Sequence, residues 1–407
     1  MSANSGSCQA PRAPLIVTRR DTGSVKPREI INPGNEQAGL LEPPRVGHPG
    51  IMTMRATTEY ADMTLLADSR DEDRPGVVFL FSGQGGQYPG MAGGLWESWP
   101  WFRGRLEELF AVSATNGDQP LAELLLGRGD DPDASHQTRF TQPLLYALEL
   151  ALAEAWQRWG VSPAAVMGHS LGEFAAAGVA GVFSDTDGMR LVTERGRLMQ
   201  TLPPEGKYII ITGEFTEVAA AARAFRATVA IAGVNAPDLT VVSGRAADVD
   251  HVVAACRVRG MSARELPVGL PFHSPLMDPI LAPFEDFCGA FRLQPPRIPW
   301  VSTVTGRFAE ANTATVPAYW RRQIREPVRF WMGMTTLAEA GHHLFLEIGP
   351  GSAVLAMGKE AIGAAGRQWL PSLHRGRDDR GSMMVAAMQL RQAGVEVDLQ
   401  QVRDDCL

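Results

Sequence analysis

The chain has 407 residues, of which 45% are apolar and 20% charged, with a formal net charge of −7. That length and apolar content supply a large core and more than one domain or subdomain, and exclude a peptide-like or fibrous protein. Its positive charge is almost all arginine, the only lysines being Lys26, Lys207 and Lys359, and the acidic balance excludes a sequence-wide nucleic-acid binder. Four cysteines, Cys8, Cys256, Cys288 and Cys406, form no CxxC pair, which indicates neither a disulfide framework nor a cysteine-rich zinc site and points to a reducing compartment. No apolar run reaches the roughly 20 residues of a membrane-spanning helix, and the N-terminus lacks the order of a signal peptide. The expectation is a cytoplasmic protein with no membrane or nucleic-acid partner.

Residues 1–75 alternate Pro, Gly, Asn, Arg and Glu with only short apolar stretches such as Leu15-Ile16-Val17, and are expected to be a disordered arm. A docking tail and a start codon assigned too far upstream, with the true start at Met52 or Met54, account for this composition equally. Order begins at residues 76–81, a continuous apolar run that predicts a buried strand ending in Ser82-Gly83-Gln84-Gly85-Gly86-Gln87. The run lacks the Lys-Ser/Thr of a phosphate loop and the spacing of a dinucleotide fingerprint, so a nucleotide site is not indicated. Gln84 stands where the end of a strand can present a hydrogen-bond donor.

Residues 142–159 predict an Ala- and Leu-rich helix closed by Gly160, and 164–167 a second buried strand. Gly168-His169-Ser170-Leu171-Gly172 follows, then a helical run from Glu173. Strand, GxSxG and helix together predict a nucleophile elbow, in which a sharp turn lifts the serine hydroxyl clear and the helix N-terminus aims amides at a developing oxyanion. Beyond it, 208–211, 229–232 and 239–242 read as strands, and 215–225 and 247–259 as helices.

A serine of this kind needs a general base. Of eight histidines, His48 lies in the arm, His169 adjoins the serine, and His136 and His251 sit in polar stretches. His342 and His343 follow Ala340-Gly341 in a surface-turn pattern. His273, where an apolar approach Leu270-Pro271-Phe272 breaks at a proline-bounded turn, fits a base, and fits a satisfied structural histidine as well.

The body from about Val77 onward resembles malonyl-CoA:acyl carrier protein transacylases, and especially the acyltransferase domains of modular polyketide synthases. The matching pieces run in order: the segment from Phe81 to Met91, Thr141-Gln142-Pro143, Gly168 to Glu173, the helix Glu194-Arg195-Gly196-Arg197, Phe272-His273-Ser274-Pro275, Tyr319-Trp320, Arg325-Glu326-Pro327-Val328-Arg329-Phe330 and Phe345-Leu346-Glu347-Ile348-Gly349-Pro350. The resemblance implies an α/β fold, with a large α/β-hydrolase-like subdomain over 76–205 and 269–370, a small inserted ferredoxin-like subdomain over 206–268, and a linker-like segment at 371–407. Implied site residues are Ser170 as nucleophile, His273 as general base, the amides of Gln84 and Leu171 as oxyanion hole, and His169 and Asn235 lining the pocket. The histidine is oriented in this family by a backbone carbonyl, expected near the Gly349-Pro350 turn. Arg195 would hold the free carboxylate of a malonyl-type group, because a planar guanidinium pairs bidentately with a carboxylate. Phe272 favours malonyl over methylmalonyl by filling the space of an α-methyl group, although Leu270 and Pro271 replace the usual histidine and alanine before it.

The implied reaction carries an acyl group from acyl-CoA, through a serine ester, to the phosphopantetheine thiol of an acyl carrier protein. No bound metal, nucleotide or redox cofactor is implied. A freestanding enzyme is expected, since no ketosynthase or carrier segment is recognisable. Arg321, Arg322, Arg325 and Arg329 are the densest candidate docking face for an acidic carrier, with Arg322, Arg325 and Arg329 at helical spacing across Pro327. The alternatives are an acyl-carrier hydrolase on the same fold, a transferase of an uncarboxylated or substituted acyl unit, and a non-catalytic carrier-docking protein.

Overall fold

The computed structural model describes residues 75–113, 121–128, 134–266 and 269–406. The expectations for the N-terminal arm, including its candidate start sites, lie outside the described residues. A six-stranded sheet is built from β1 (Val77–Phe81), β2 (Pro163–Gly168), β7 (Trp300–Ser302), β8 (Arg307–Phe308), β9 (Leu344–Ile348) and β10 (Gln368–Pro371). Its order is β10-β9-β1-β2-β7-β8, parallel throughout except for the edge strand β8. Every residue of β1 is buried, as a strand covered on both faces requires. Val77, Phe79 and Phe81 join one core and Val78 and Leu80 the other, following the two-residue period of the strand.

The larger core centres on the helix Thr138–Arg158, which is buried along most of its length. It starts one turn before the predicted position, so that Pro143 lies inside the helix rather than at its entry. The helix Asp185–Gln200 lies against it at close range. A Cβ on Gly196 would stand 2.8 Å from the carbonyl oxygen of Thr138, so glycine there lets the two backbones meet.

Between these elements a four-stranded antiparallel sheet is inserted: β3 (Gly206–Thr212), β4 (Val229–Ala236), β5 (Leu239–Arg245) and β6 (Ser262–Glu265), in the order β4-β5-β3-β6. The helices Phe215–Arg223 and Ala246–Val258 connect β3 to β4 and β5 to β6. Ile209 and Ile211 of β3 pack with Val218, Val242, Val249 and Val252 in a core of their own. By the same alternation Tyr208 and Ile210 belong to the other face of the sheet. The backbone of β4 continues its pairing outside the small sheet: Val234 N donates to Val328 O and Val328 N to Ala232 O, both at 2.9 Å.

The stretch from 371 onward closes β10 and then forms the helices Asp379–Gln392 and Leu399–Cys406. Met383, Ala387, Leu390, Val402 and Cys406 are buried in the larger core, so this segment is part of the folded body through Cys406. Among the described residues no helix is long and apolar enough to cross a membrane.

Candidate active site

The parallel strands deliver their C-terminal ends to one edge, where β1 runs into Ser82-Gly83-Gln84 and β2 into His169-Ser170. Ser170 has φ 52°, a left-handed conformation that a serine adopts only when its surroundings impose it. The flanking glycines are required by contact: a Cβ on Gly168 would lie 2.0 Å from the backbone carbon of Gly172, and one on Gly172 would lie 2.4 Å from the carbonyl oxygen of Ser82. Leu171 caps the helix Gly172–Val179, whose first turn points back at the serine. Among the described residues neither the Leu171 nor the Gln84 amide has an acceptor within the protein.

The Oγ of Ser170 lies 2.7 Å from His273 Nε2, and His273 Nδ1 lies 2.9 Å from the carbonyl oxygen of Glu326. The carbonyl can only accept, so Nδ1 carries the proton and Nε2 keeps its lone pair for the serine hydroxyl. This corrects the expectation that the orienting carbonyl belongs to the Gly349-Pro350 turn. That turn instead packs under Ser82, where a Cβ on Gly349 would stand 2.0 Å from the Ser82 Oγ. Glu347 accepts from the Ser82 hydroxyl at 2.9 Å and from Leu355 N at 2.9 Å, tying the start of the glycine-rich turn to the helix Ala353–Ile362. His273 is 1% exposed, and burial, with the positive charge of Arg195 adding to it, pushes its pKa down to about 3. It too has a positive φ, 55°. The imidazole is therefore neutral at physiological pH, the state in which it can take a proton.

Arg195 is 3% exposed, and among the described residues no carboxylate lies within ion-pairing distance of it. One terminal nitrogen donates to Gln142 Oε1 at 2.7 Å and the other to Gln323 Oε1 at 3.4 Å, while Nε has no acceptor. The guanidinium carbon sits 5.4 Å from the centroid of the Phe174 ring. Burial lowers its pKa to about 9, opposed by the nearby Glu173, which leaves it charged at neutral pH. Glu173 is itself engaged by Thr303 N at 2.9 Å and by the hydroxyls of Thr303 and Tyr319. Burial raises its pKa against the pull of these donors.

Two glutamines and a threonine that sequence reasoning did not single out complete the site. Gln323 donates to Ser170 O at 2.6 Å while accepting from Arg195. Gln142 donates to Thr138 Oγ1 at 2.8 Å, and Thr138 in turn donates to Gln84 Oε1 at 2.9 Å. Gln142 had a signal, since it stands in the Thr141-Gln142-Pro143 piece; Gln323 reads in sequence as an ordinary helix residue. His169 Nε2 lies 3.0 Å from Asn235 Oδ1 on β4, and burial lowers the histidine pKa. Phe272, half-buried beside His273, meets the Tyr208 ring edge-on with centroids 6.4 Å apart.

The arginine series is corrected by the fold. The helix Pro317–Arg325 stops before Glu326-Pro327, where the residue preceding a proline is extended, so Arg329 is not on the same helix as Arg322 and Arg325. Each of the four is paired with an acid: Arg321 with Glu285 at 3.0 Å, Arg322 with Glu326 at 2.6 Å, Arg325 with Asp278 at 2.7 Å and Arg329 with Glu326 at 3.4 Å. Among the described residues no cluster of three or more His, Cys, Asp or Glu side chains could hold a metal ion.

A parallel α/β sheet carrying a serine elbow, an imidazole held in the basic tautomer and a pair of free amides defines a class of protein that makes and breaks acyl esters. The comparisons with known proteins name the family. The acyl transferase domain model matches residues 78–397, and the chain belongs to that family. It is 37% identical over 413 residues to the spectinabilin polyketide synthase system protein NorB of Streptomyces orinoci, covering 95% of this chain and 19% of the relative. It is 36% identical over 322 residues to the mycoketide-CoA synthase of Mycobacterium tuberculosis, covering 79% of this chain and 8% of that protein. The chain thus spans less than a fifth of either relative's length. Among solved structures, the acyltransferase domain from the second module of the salinomycin polyketide synthase is 36% identical with a TM-score of 0.75, covering 81% of this chain and 76% of that one. MCAT from Streptococcus pneumoniae is 25% identical with a TM-score of 0.68, covering 78% and 99%.

Proposed function

We propose that the protein transfers a malonyl-type acyl group from coenzyme A, through an ester on Ser170, to the phosphopantetheine thiol of an acyl carrier protein in polyketide or fatty acid biosynthesis. The observation that carries this reading is Arg195: a buried guanidinium that no carboxylate among the described residues pairs with, linked through one carboxamide to the backbone of the nucleophile. Burying such a charge is costly unless an anion completes it, and two of its five N–H groups are engaged by Gln142 and Gln323. The remaining donors suit the free carboxylate of a malonyl-type substrate.

In the first step Ser170 Oγ attacks the thioester carbonyl while His273 Nε2 takes its proton, and the Gln84 and Leu171 amides receive the negative charge on the carbonyl oxygen. Collapse breaks the carbon–sulfur bond, His273 returns the proton to the departing thiol, and malonyl remains as the serine ester. In the second step the carrier's thiol gives its proton to His273 and attacks that ester, and Ser170 leaves with the proton restored. His169 and Asn235 border the acyl group, and Phe272 disfavours an α-methyl substituent. The strand orders support reading the architecture as an α/β-hydrolase-like part over 76–205 and 269–370 with a ferredoxin-like insertion over 206–268, the acyl group being held where the two meet. An acidic carrier would meet the exposed Arg321 and Arg322, whose charge is already shared with Glu285 and Glu326. The free, buried cysteines Cys256, Cys288 and Cys406 suit a cytoplasmic setting.

The test is intact-mass spectrometry after incubation with malonyl-, methylmalonyl- or acetyl-CoA. A lasting malonyl adduct, absent from Ser170→Ala and lost from Arg195→Ala, is the expected result. Release of free acid without an adduct would instead make the protein a hydrolase, and an adduct indifferent to Arg195 a transferase of uncarboxylated acyl groups.

A further inference from the structure

The residue before the base is pressed on from the inserted sheet. Tyr208 occupies the face of β3 opposite the small core, and its ring meets that of Phe272 edge to face at 73°. The backbone around this contact is tied at two points: Gly206 N donates to Gly269 O at 3.1 Å and Leu266 N to Tyr208 O at 2.9 Å. Pro271 packs directly on the start of β3, since a Cβ on Gly206 would come within 2.7 Å of its ring. The chain therefore enters His273 along a track laid by residues 206–208. Leu270 and Pro271 are buried in that track, which leaves the Phe272 ring as the element whose position the neighbouring ring decides.

We infer that Tyr208 is a specificity-determining positioning residue: by backing the Phe272 ring it holds closed the space that an α-substituent on the acyl group would need, so that acyl selectivity is set from the inserted sheet as well as from the segment preceding the base. The inference rests on the transferase reading above. Among the described residues no hydrogen bond or ring contact joins Tyr208 to Ser170 or His273, so it acts through Phe272. The ring is the working part, because the phenol hydroxyl has no hydrogen-bond partner among the described residues.

The experiment is a competition between equimolar malonyl-CoA and methylmalonyl-CoA for the full chain, read as the mass ratio of the two Ser170 adducts. Tyr208→Phe is expected to keep the wild-type ratio. Tyr208→Ala is expected to raise the methylmalonyl share about tenfold, the scale of discrimination that one methylene commands in an apolar pocket, while the malonyl adduct still forms. Tyr208→Leu, which keeps an apolar side chain over the segment, covers the case in which alanine unfolds the protein, and its ratio is expected to shift in the same direction. In a Phe272→Ser background, removal of the Tyr208 ring should change the ratio no further. An unchanged ratio in Tyr208→Leu and Tyr208→Ala with normal malonyl acylation overturns the inference, as does a shift that persists without the Phe272 ring. Failure of the wild type to form any adduct overturns the transferase reading instead, and the two failures are told apart by that control.

Discussion

Gln323 donates from Nε2 to the carbonyl oxygen of Ser170 at 2.6 Å. The same carboxamide accepts from Arg195 at 3.4 Å, so a single buried side chain spans the serine turn and the Arg195 guanidinium. Replacing Gln323 with leucine removes one of two donors to the Ser170 carbonyl oxygen, which keeps the Glu173 amide at 3.1 Å, and leaves an N–H of the buried Arg195 without its acceptor. Each unsatisfied group costs about 1–3 kcal/mol. Urea unfolding of Gln323→Leu should show a loss of that size, and the rate of acyl-serine formation should fall with it. Glutamate at 323 would supply a charged partner to Arg195 and is expected to suppress malonyl acylation more than leucine does.

Arg195→Ala should discriminate between acyl groups. Losing one partner of a buried, hydrogen-bonded charge pair typically costs about 2–5 kcal/mol. The expected outcome is a loss of that order in kcat/KM for malonyl-CoA, with acetyl-CoA affected far less, measured as initial rates of adduct formation for the two thioesters. Equal losses for both would show that the arginine serves the fold alone.

The pH dependence has a defined sign. Burial and Arg195 hold the His273 pKa near 3 in the folded protein, against about 6.5 for an exposed imidazole. The neutral base thus persists as pH falls through 6.5, and the acylation rate should show no decline there. The unfolded chain takes up a proton on this histidine that the folded one refuses, so the contribution to stability is present above pH 6.5 and is lost as pH falls toward 3. Stopped-flow acylation between pH 5 and 8, paired with urea unfolding over the same range, checks both halves. A rate that halves near pH 6.5 contradicts the burial of the base.

Glycine at 172 is a steric requirement. An added methyl would stand 2.4 Å from the Ser82 carbonyl oxygen and 2.5 Å from that of Phe81, forcing β1 away from the elbow. Gly172→Ala should therefore abolish acyl-serine formation and lower the melting temperature, whereas Gly104→Ala, at a helix position with open space around it, should leave acylation unchanged and raise the melting temperature slightly. Differential scanning calorimetry and the mass assay measure the two effects.

What could be read from the letters follows the physics behind each element. The run into Gln84, the GxSxG turn and the strands of the inserted sheet carry their own periodicity and their own glycines, and the elbow's strain is written in the pattern that permits it. The orienting partner of His273 is a main-chain oxygen, which no side-chain type announces; the resemblance points near Gly349, whereas the oxygen belongs to Glu326, well before it in the chain. Arginines at helical intervals suggest one face across Pro327, a residue that itself argues against a continuous helix, and the helix ends at Arg325. Gln323 was invisible because a glutamine in an arginine-rich helix looks solvated, and only the packing of that helix against the serine turn shows that it is buried.

The strand β4 has a part in the site that its place in the inserted sheet does not suggest. Its Asn235 holds His169, beside Ser170, and its backbone clasps Val328, two residues beyond the Glu326 carbonyl that faces His273 Nδ1. The inserted sheet and the larger body therefore share the positioning of both histidines, and a substitution that loosens β4 is expected to be felt at each of them.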